Sequence, residues 1–119
     1  MKNLFLLLIS VILITSCEKE PKKYPVSYKV TVLSGNNPHY TVTYSSFNNA
    51  TQNEGTISKT MWVSPKVDDR EAGTTVSLKL EGGGGCSYQM YIYVNGTLYK
   101  QERMDDPYGP KTIEATLPN

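Results

Sequence analysis

The chain has 119 residues, with 12 Lys and Arg against 11 Asp and Glu, 39% hydrophobic residues and two cysteines. That length suits one domain. The balanced charge offers no basic field for nucleic acid and no acidic field for a basic partner.

Lys2 supplies a positive start, and residues 4–14 are apolar apart from Ser10. The run is too short for the roughly 20 residues that a spanning helix needs. Ile14-Thr15-Ser16-Cys17 follows it. This resembles the cleavage box of bacterial lipoproteins, whose first position prefers Leu but accepts Ile. Residues 1–16 are therefore expected to be a signal peptide. Cys17 becomes the new N-terminus, and its thiol takes the lipid. Two or three acyl chains hold a protein on a membrane far better than one, at about 0.8 kcal/mol per buried CH₂. The alternative is ordinary secretion with Cys17 as a plain thiol. Loss of Lys2 brings the mature chain to near neutrality. With Cys17 lipidated, Cys86 is left alone, so the domain is expected to fold without an internal disulfide.

Residues 17–25 are charged, contain Pro21 and Pro25, and have little to bury. They read as the lipidated cysteine and a semi-extended linker. The acidic residues after Cys17 resemble surface-export signals of some Gram-negative lipoproteins, or are simply a solvated tether.

From Val26 the apolar period is two. Val26, Tyr28, Val30 and Val32 share one face, and Tyr40, Val42 and Tyr44 repeat the pattern after a turn cluster at residues 34–38. These are half-buried strands. Residues 48–55 are polar and read as a loop. Asn49-Ala50-Thr51 is a formal glycosylation triplet, without meaning in a bacterial lipoprotein. Residues 56–63 are strand-like but irregular: Ile57, Met61 and Val63 share parity with Lys59, while Trp62 faces the other way. A bulge near Lys59 or Met61 would reconcile them, and Pro65 implies a sheet edge or a strand start. Residues 68–73 read as a charged loop. Val76, Leu78 and Leu80 alternate cleanly.

A glycine run at residues 82–85 precedes an apolar and aromatic stretch, Cys86 to Val94, which Asn95-Gly96 turns back into Thr97-Leu98-Tyr99. Asn-Gly between alternating runs signals a type I′ hairpin, because both central residues need positive φ. Residues 105–110 are a further loop, and Ile113, Ala115 and Leu117 form the last strand. No helical period follows residue 16. About seven short strands with regular turn signals predict an all-β fold, an Ig-like antiparallel β-sandwich over residues 26–119.

The order of short motifs is similar to that of a known family. Tyr28-Lys29-Val30-Thr31-Val32 opens it, and Trp62-Val63-Ser64-Pro65-Lys66 and Val76-Ser77-Leu78 follow. Ile92-Tyr93-Val94-Asn95-Gly96 and Pro107-Tyr108-Gly109 then precede the last strand. This resembles the MmpS-like small membrane-anchored proteins, over roughly Tyr28 to Leu117. The resemblance implies an Ig-like soluble part and an accessory role beside RND-type lipid exporters. The founding members carry a transmembrane anchor, whereas this chain reads as lipid-anchored. Members often place a cysteine near the position of Met90, whereas here the cysteine is Cys86.

Candidate chemistry is sparse. His39 is the only histidine and lies on the polar parity of its strand, so a catalytic dyad or zinc site lacks a converging partner. Cys86 shares parity with Tyr88, Met90, Ile92 and Val94 and reads as a buried structural thiol. The glycine run lacks the Gly-Lys-Ser/Thr ending of a phosphate loop. Asp68, Asp69 and Glu71 fall at one end of a simple up-and-down sandwich and Asp105 and Asp106 at the other, too far apart to share a calcium ion. No metal, cofactor or enzymatic activity is expected.

In a two-residue hairpin Val94 faces Thr97, Tyr93 faces Leu98, Ile92 faces Tyr99 and Tyr91 faces Lys100. With Met90, Ile92 and Val94 inward, Tyr91, Tyr93 and Leu98 look outward and form a candidate partner-binding patch. The expectation is a non-enzymatic, lipid-anchored binding or transport accessory module of the cell envelope, in the outer membrane of a Gram-negative bacterium. Its partner is an envelope protein, an RND-type transporter by the resemblance, or alternatively a surface glycan stacked on the tyrosines.

Overall fold

The computed structural model describes residues 22–46, 50–65, 67–83, 85–105 and 110–119. The signal peptide, Cys17, the first part of the linker, Asn49, Asp106 and the Pro107-Tyr108-Gly109 motif lie outside the described residues.

Two antiparallel sheets pack face to face. The strands are β1 (Lys23–Ser34), β2 (His39–Ser45), β3 (Thr51–Ile57), β4 (Met61–Val63), β5 (Asp68–Glu71), β6 (Thr75–Gly83), β7 (Ser87–Val94), β8 (Thr97–Met104) and β9 (Lys111–Thr116). The first sheet runs β4-β1-β7-β8, with β5 also paired to β1, and the second runs β3-β2-β6-β9. Alternation dictates what lies between them. Tyr24, Val26, Tyr28 and Val30 of β1 and Tyr88, Met90, Ile92 and Val94 of β7 point inward. They meet Tyr40, Val42 and Tyr44 of β2, Val76, Leu78 and Leu80 of β6, and Ile113 and Ala115 of β9. Each large side chain of this kind contributes about 1.5–3 kcal/mol on burial. The all-β, two-sheet expectation holds.

The strand count is nine among the described residues rather than about seven, and the differences share a cause. The segment read as a polar loop at 48–55 holds most of β3, and the charged loop at 68–73 contains β5. Both are edge strands. β3 buries only Ile57, and its backbone pairs with β2 from Ser45 to Tyr40. β5 buries only Arg70. A strand held mainly by backbone bonds on one side needs no apolar period.

The irregular stretch 56–63 is two strands in different sheets, not one bulged strand. The chain leaves the second sheet at Ile57 and enters the first at Met61, so the parity restarts. Trp62 is buried, while Met61 and Val63 are 52% and 51% exposed. Pro65 lies between β4 and β5 on the edge of β1, where no ladder bond is needed. The first strand also begins earlier than expected, at Lys23 rather than Val26. Tyr24 is buried and pairs with Arg70. Pro25 is tolerated because it lies just past the last β1–β7 pair, Val26 with Val94, where its carbonyl accepts from Asn95 N at 2.9 Å.

Polar groups stitch the sheets together at one end. The Tyr28 hydroxyl of β1 donates to the Ser45 carbonyl of β2 at 2.9 Å and lies 3.0 Å from Ser45 Oγ. Ser45 Oγ accepts in turn from Ser77 N of β6 at 2.9 Å. The Arg70 guanidinium, buried beneath them, donates to the Ser46 carbonyl. Around these the rings of Tyr28 and Tyr44 lie 5.2 Å apart, and those of Tyr44 and Trp62 lie 5.4 Å apart. At the other end Tyr40 and Tyr88 meet edge to face at 5.1 Å.

The open edge of β9 is covered from the opposite sheet. Tyr99 donates to the Thr116 carbonyl and Lys100 Nζ to the Glu114 carbonyl, each at 2.8 Å, and Lys111 pairs with Glu102 at 3.4 Å. Carbonyls two residues apart point to the same side of a strand. The two acceptors are thus the row that an added strand would use.

Candidate functional site

The outer face of the first sheet is assembled from four strands. Opposed residues in a ladder share a face. Ser27 pairs with Tyr93, and Tyr93 with Leu98, which gives one row across the sheet. The next row is Val63, Lys29, Tyr91 and Gln101, and the third is Met61, Thr31, Gln89 and Arg103. The three predicted contact residues, Tyr91, Tyr93 and Leu98, are thus neighbours. Leu98 is 42% exposed, whereas both tyrosines are half-buried and lie down on the sheet. Their rings are 6.0 Å apart and inclined by only 23°.

Two neighbours hold Tyr91 in this pose. Lys29 Nζ sits 5.4 Å from the ring centroid, a cation–π contact. The Tyr91 hydroxyl is 3.4 Å from Thr31 Oγ1. Sequence reasoning missed Met61 and Val63, which extend the face across β4. Their apolar character pointed inward, and only the crossing between sheets at residues 58–60 turns them out. Lys29 was legible as an outward residue of β1, but its place beside Tyr91 depends on pairing between strands distant in the chain.

The hairpin register needs one correction. Both turn residues have positive φ, 54° at Asn95 and 73° at Gly96. Val94 pairs with Thr97 and Tyr93 with Leu98 as expected. The ladder then shifts: Ile92 pairs with Lys100 and Tyr91 with Gln101, so Tyr99 is an extra residue. This bulge frees Tyr99 and Lys100 to reach the carbonyls of β9, and those two hydrogen bonds accompany the irregularity.

The other candidate residues are scattered. His39 is exposed, with Nδ1 3.4 Å from the Asn37 carbonyl. Cys86 is buried, its thiol 3.6 Å from the Asn36 carbonyl. Gly82 and Gly83 end β6, and Gly85 lies in the turn to β7. Asp68 pairs with Val26 at one end of the first sheet. Asp105 follows Met104 at the other end, where Tyr88 pairs with both Val32 and Met104. Hydrogen bonds from Arg103 first, then Ser87, hold the Asp105 carboxyl below the usual carboxylate range. Among the described residues no three metal-ligating side chains come together.

The chain matches no protein-family model, and no curated protein resembles it closely enough to count as a relative.

Proposed function

We propose that the protein is a lipid-anchored, non-enzymatic binding module of the cell envelope. It holds a protein partner against the outer face of the five-stranded sheet. The observation that carries this reading is the outer face on which Tyr91, Tyr93 and Leu98 stand on one side of Lys29 and Thr31, and Val63 and Met61 on the other. Three of these are large apolar side chains at least 42% exposed. Clusters of this kind with aromatic centres and polar rims mark contact surfaces. The rim is supplied by Ser27, Thr31, Gln89 and Gln101. Acylation of Cys17 would keep the face at a membrane surface, and the likeness to MmpS-like proteins makes an RND-type exporter the first partner to seek.

Crosslinking in intact cells, followed by recovery from the membrane fraction, tests this reading. The parent chain should capture a discrete envelope protein. The paired substitution Tyr91→Ser and Tyr93→Ser should lose that capture while the domain still folds, and capture that persists unchanged would remove the face from the function. A glycan is the second reading, favoured by the shallow tilt between the two rings, on which sugar faces can stack. Retention on an immobilised envelope polysaccharide, lost with the same substitutions, would decide for it.

A further inference from the structure

An antiparallel ladder alternates bonded and non-bonded pairs, so residues of an edge strand bond inward and face out by turns. The flanks of β4 fix its phase. Val32 N donates to the Thr60 carbonyl at 2.8 Å, and Ser64 N to the Tyr28 carbonyl at 2.9 Å. Val30 with Trp62 is therefore the bonded pair between them, and Met61 and Val63 turn their N–H and C=O groups away from β1. Among the described residues β4 pairs with β1 alone. The same two residues carry exposed apolar side chains on the outer face.

The other edges are blunted by devices that deter strand pairing. Tyr99 and Lys100 cover β9. β3 sets Glu54 and Gly55 against Val42, and Gly55 takes a φ of 66° in that bulge. β8 bulges at Tyr99 and carries Lys100, Glu102 and Arg103. β4 is short but has neither a charge nor a bulge. The edge continues into β5, where it is acidic. Ala72 N donates to the Lys22 carbonyl at 2.8 Å, so the same alternation leaves Asp69 facing out. Glu71 has Lys23 opposite it, whereas Asp69 has Pro25.

We infer that β4 takes an extended segment of the protein partner as an added antiparallel strand, of the pattern basic-x-x-x-apolar-x-apolar. The inference rests on the reading of the outer face as a protein contact and names the segment that docks at its β4 side. The two apolar residues stand opposite Val63 and Met61 and exchange backbone bonds with them. Opposed side chains share a face, so both cover exposed apolar surface. Val63 pairs with Lys29 and Asp69 with Pro25, four residues or about 13 Å apart along β1. A basic residue four places before the first apolar one therefore falls opposite Asp69. Because β4 supplies only two such bonded pairs, this charge contact sets much of the specificity. A second copy of the chain fits less well. Two β4 strands paired about Trp62 would bring Ile57 to the level of Asp69, and Ile57 is buried in the other sheet.

The probe is a capped peptide, Arg-Thr-Thr-Thr-Val-Thr-Val, titrated into the full acylated protein in detergent micelles and followed by backbone amide shifts. The largest shifts should fall at Met61 and Val63. N-methylation of both valines removes the N–H groups aimed at β4 and should weaken binding about tenfold. N-methylation of the threonine between them, whose N–H points away, should leave binding unchanged. Asp69→Asn should weaken it roughly threefold. Equal affinity for the two methylated peptides, or no shift at β4 at millimolar peptide, would overturn strand addition. Val63→Pro blocks the edge but keeps the β1 ladder, because the Val63 N–H faces out; Met61→Lys serves if that variant unfolds. In cells, either edge variant should lose the crosslinked partner. Capture that survives them but is lost with Tyr91→Ser and Tyr93→Ser would overturn strand addition and leave the outer face standing, and capture that survives all of them would remove both. Self-association of the parent that Val63→Pro abolishes would put a second copy on the edge and overturn the assignment.

Discussion

Replacing Gly35 by Ala perturbs the junction between the first turn and the start of β7. Gly35 has φ of +107°, and a methyl group there would stand 2.6 Å from Cys86 Sγ and 2.8 Å from Cys86 Cα. The sulfur could rotate a little, but the Cα belongs to the backbone that leads into β7. The backbone conformation alone costs an alanine about 1–3 kcal/mol. Forcing apart a packed contact adds about 1–3 kcal/mol. The sum, about 2–6 kcal/mol, is a large part of the roughly 5–15 kcal/mol that a domain of this kind possesses. Gly96 provides the control: its φ is +73°, and nothing lies within 4 Å of the position of an added methyl. Gly96→Ala should therefore cost only the backbone term, about 1–2 kcal/mol. Equilibrium unfolding in urea measures both. Adding Cys86→Ala should relieve Gly35→Ala only in part, because the Cα remains. If Gly35→Ala and Gly96→Ala shift the midpoint equally, the close approach to Cys86 is not a constraint and the reasoning is wrong.

Three more outcomes follow from the structure. Ser45→Ala removes the acceptor of the half-buried Ser77 N–H and a partner of Tyr28, so it should cost about 1–3 kcal/mol. Paired with Tyr28→Phe in urea unfolding, it should show a coupling of about 0.5–3 kcal/mol, and simple additivity would deny the network. Burial pushes the Tyr40 hydroxyl up to about 12, aided by Tyr88, and burial first also raises Tyr28 and Tyr44. The fold thus favours neutral phenols: their contribution is complete below the unfolded value of about 10 and is lost as pH rises through the folded values. Urea midpoints should fall between about pH 10 and 12, by at most about 1.4 kcal/mol per pH unit for each tyrosine and less where water screens the hydroxyl. A flat profile over that range would contradict the burial, and Tyr40→Phe should reduce the slope. Finally, Tyr99→Phe with Lys100→Ala uncovers the Thr116 and Glu114 carbonyls on β9. The double variant should self-associate in sedimentation at little cost in stability, whereas a monomer like the parent would show that the edge is protected by other means.

The sequence by itself determined the inward rows of β1, β2, β6, β7 and β9 and the Asn95–Gly96 turn. In those strands burial of one face forces a period of two, and a tight turn demands residues that accept positive φ. It also placed Tyr91, Tyr93 and Leu98 on one side, because a two-residue turn sets the first ladder pairs.

Only the tertiary structure decided the rest. β3 and β5 are strands because β2 and β1 offer them backbone partners, and backbone pairing leaves no hydrophobic signature. Met61 and Val63 face water because the chain changes sheets before them, which a local period cannot register. Arg70 is buried because Ser46 supplies a carbonyl from the other sheet. The same holds for the candidate face: its row from Val63 through Lys29 to Tyr91 joins three strands that are neighbours in space and strangers in sequence.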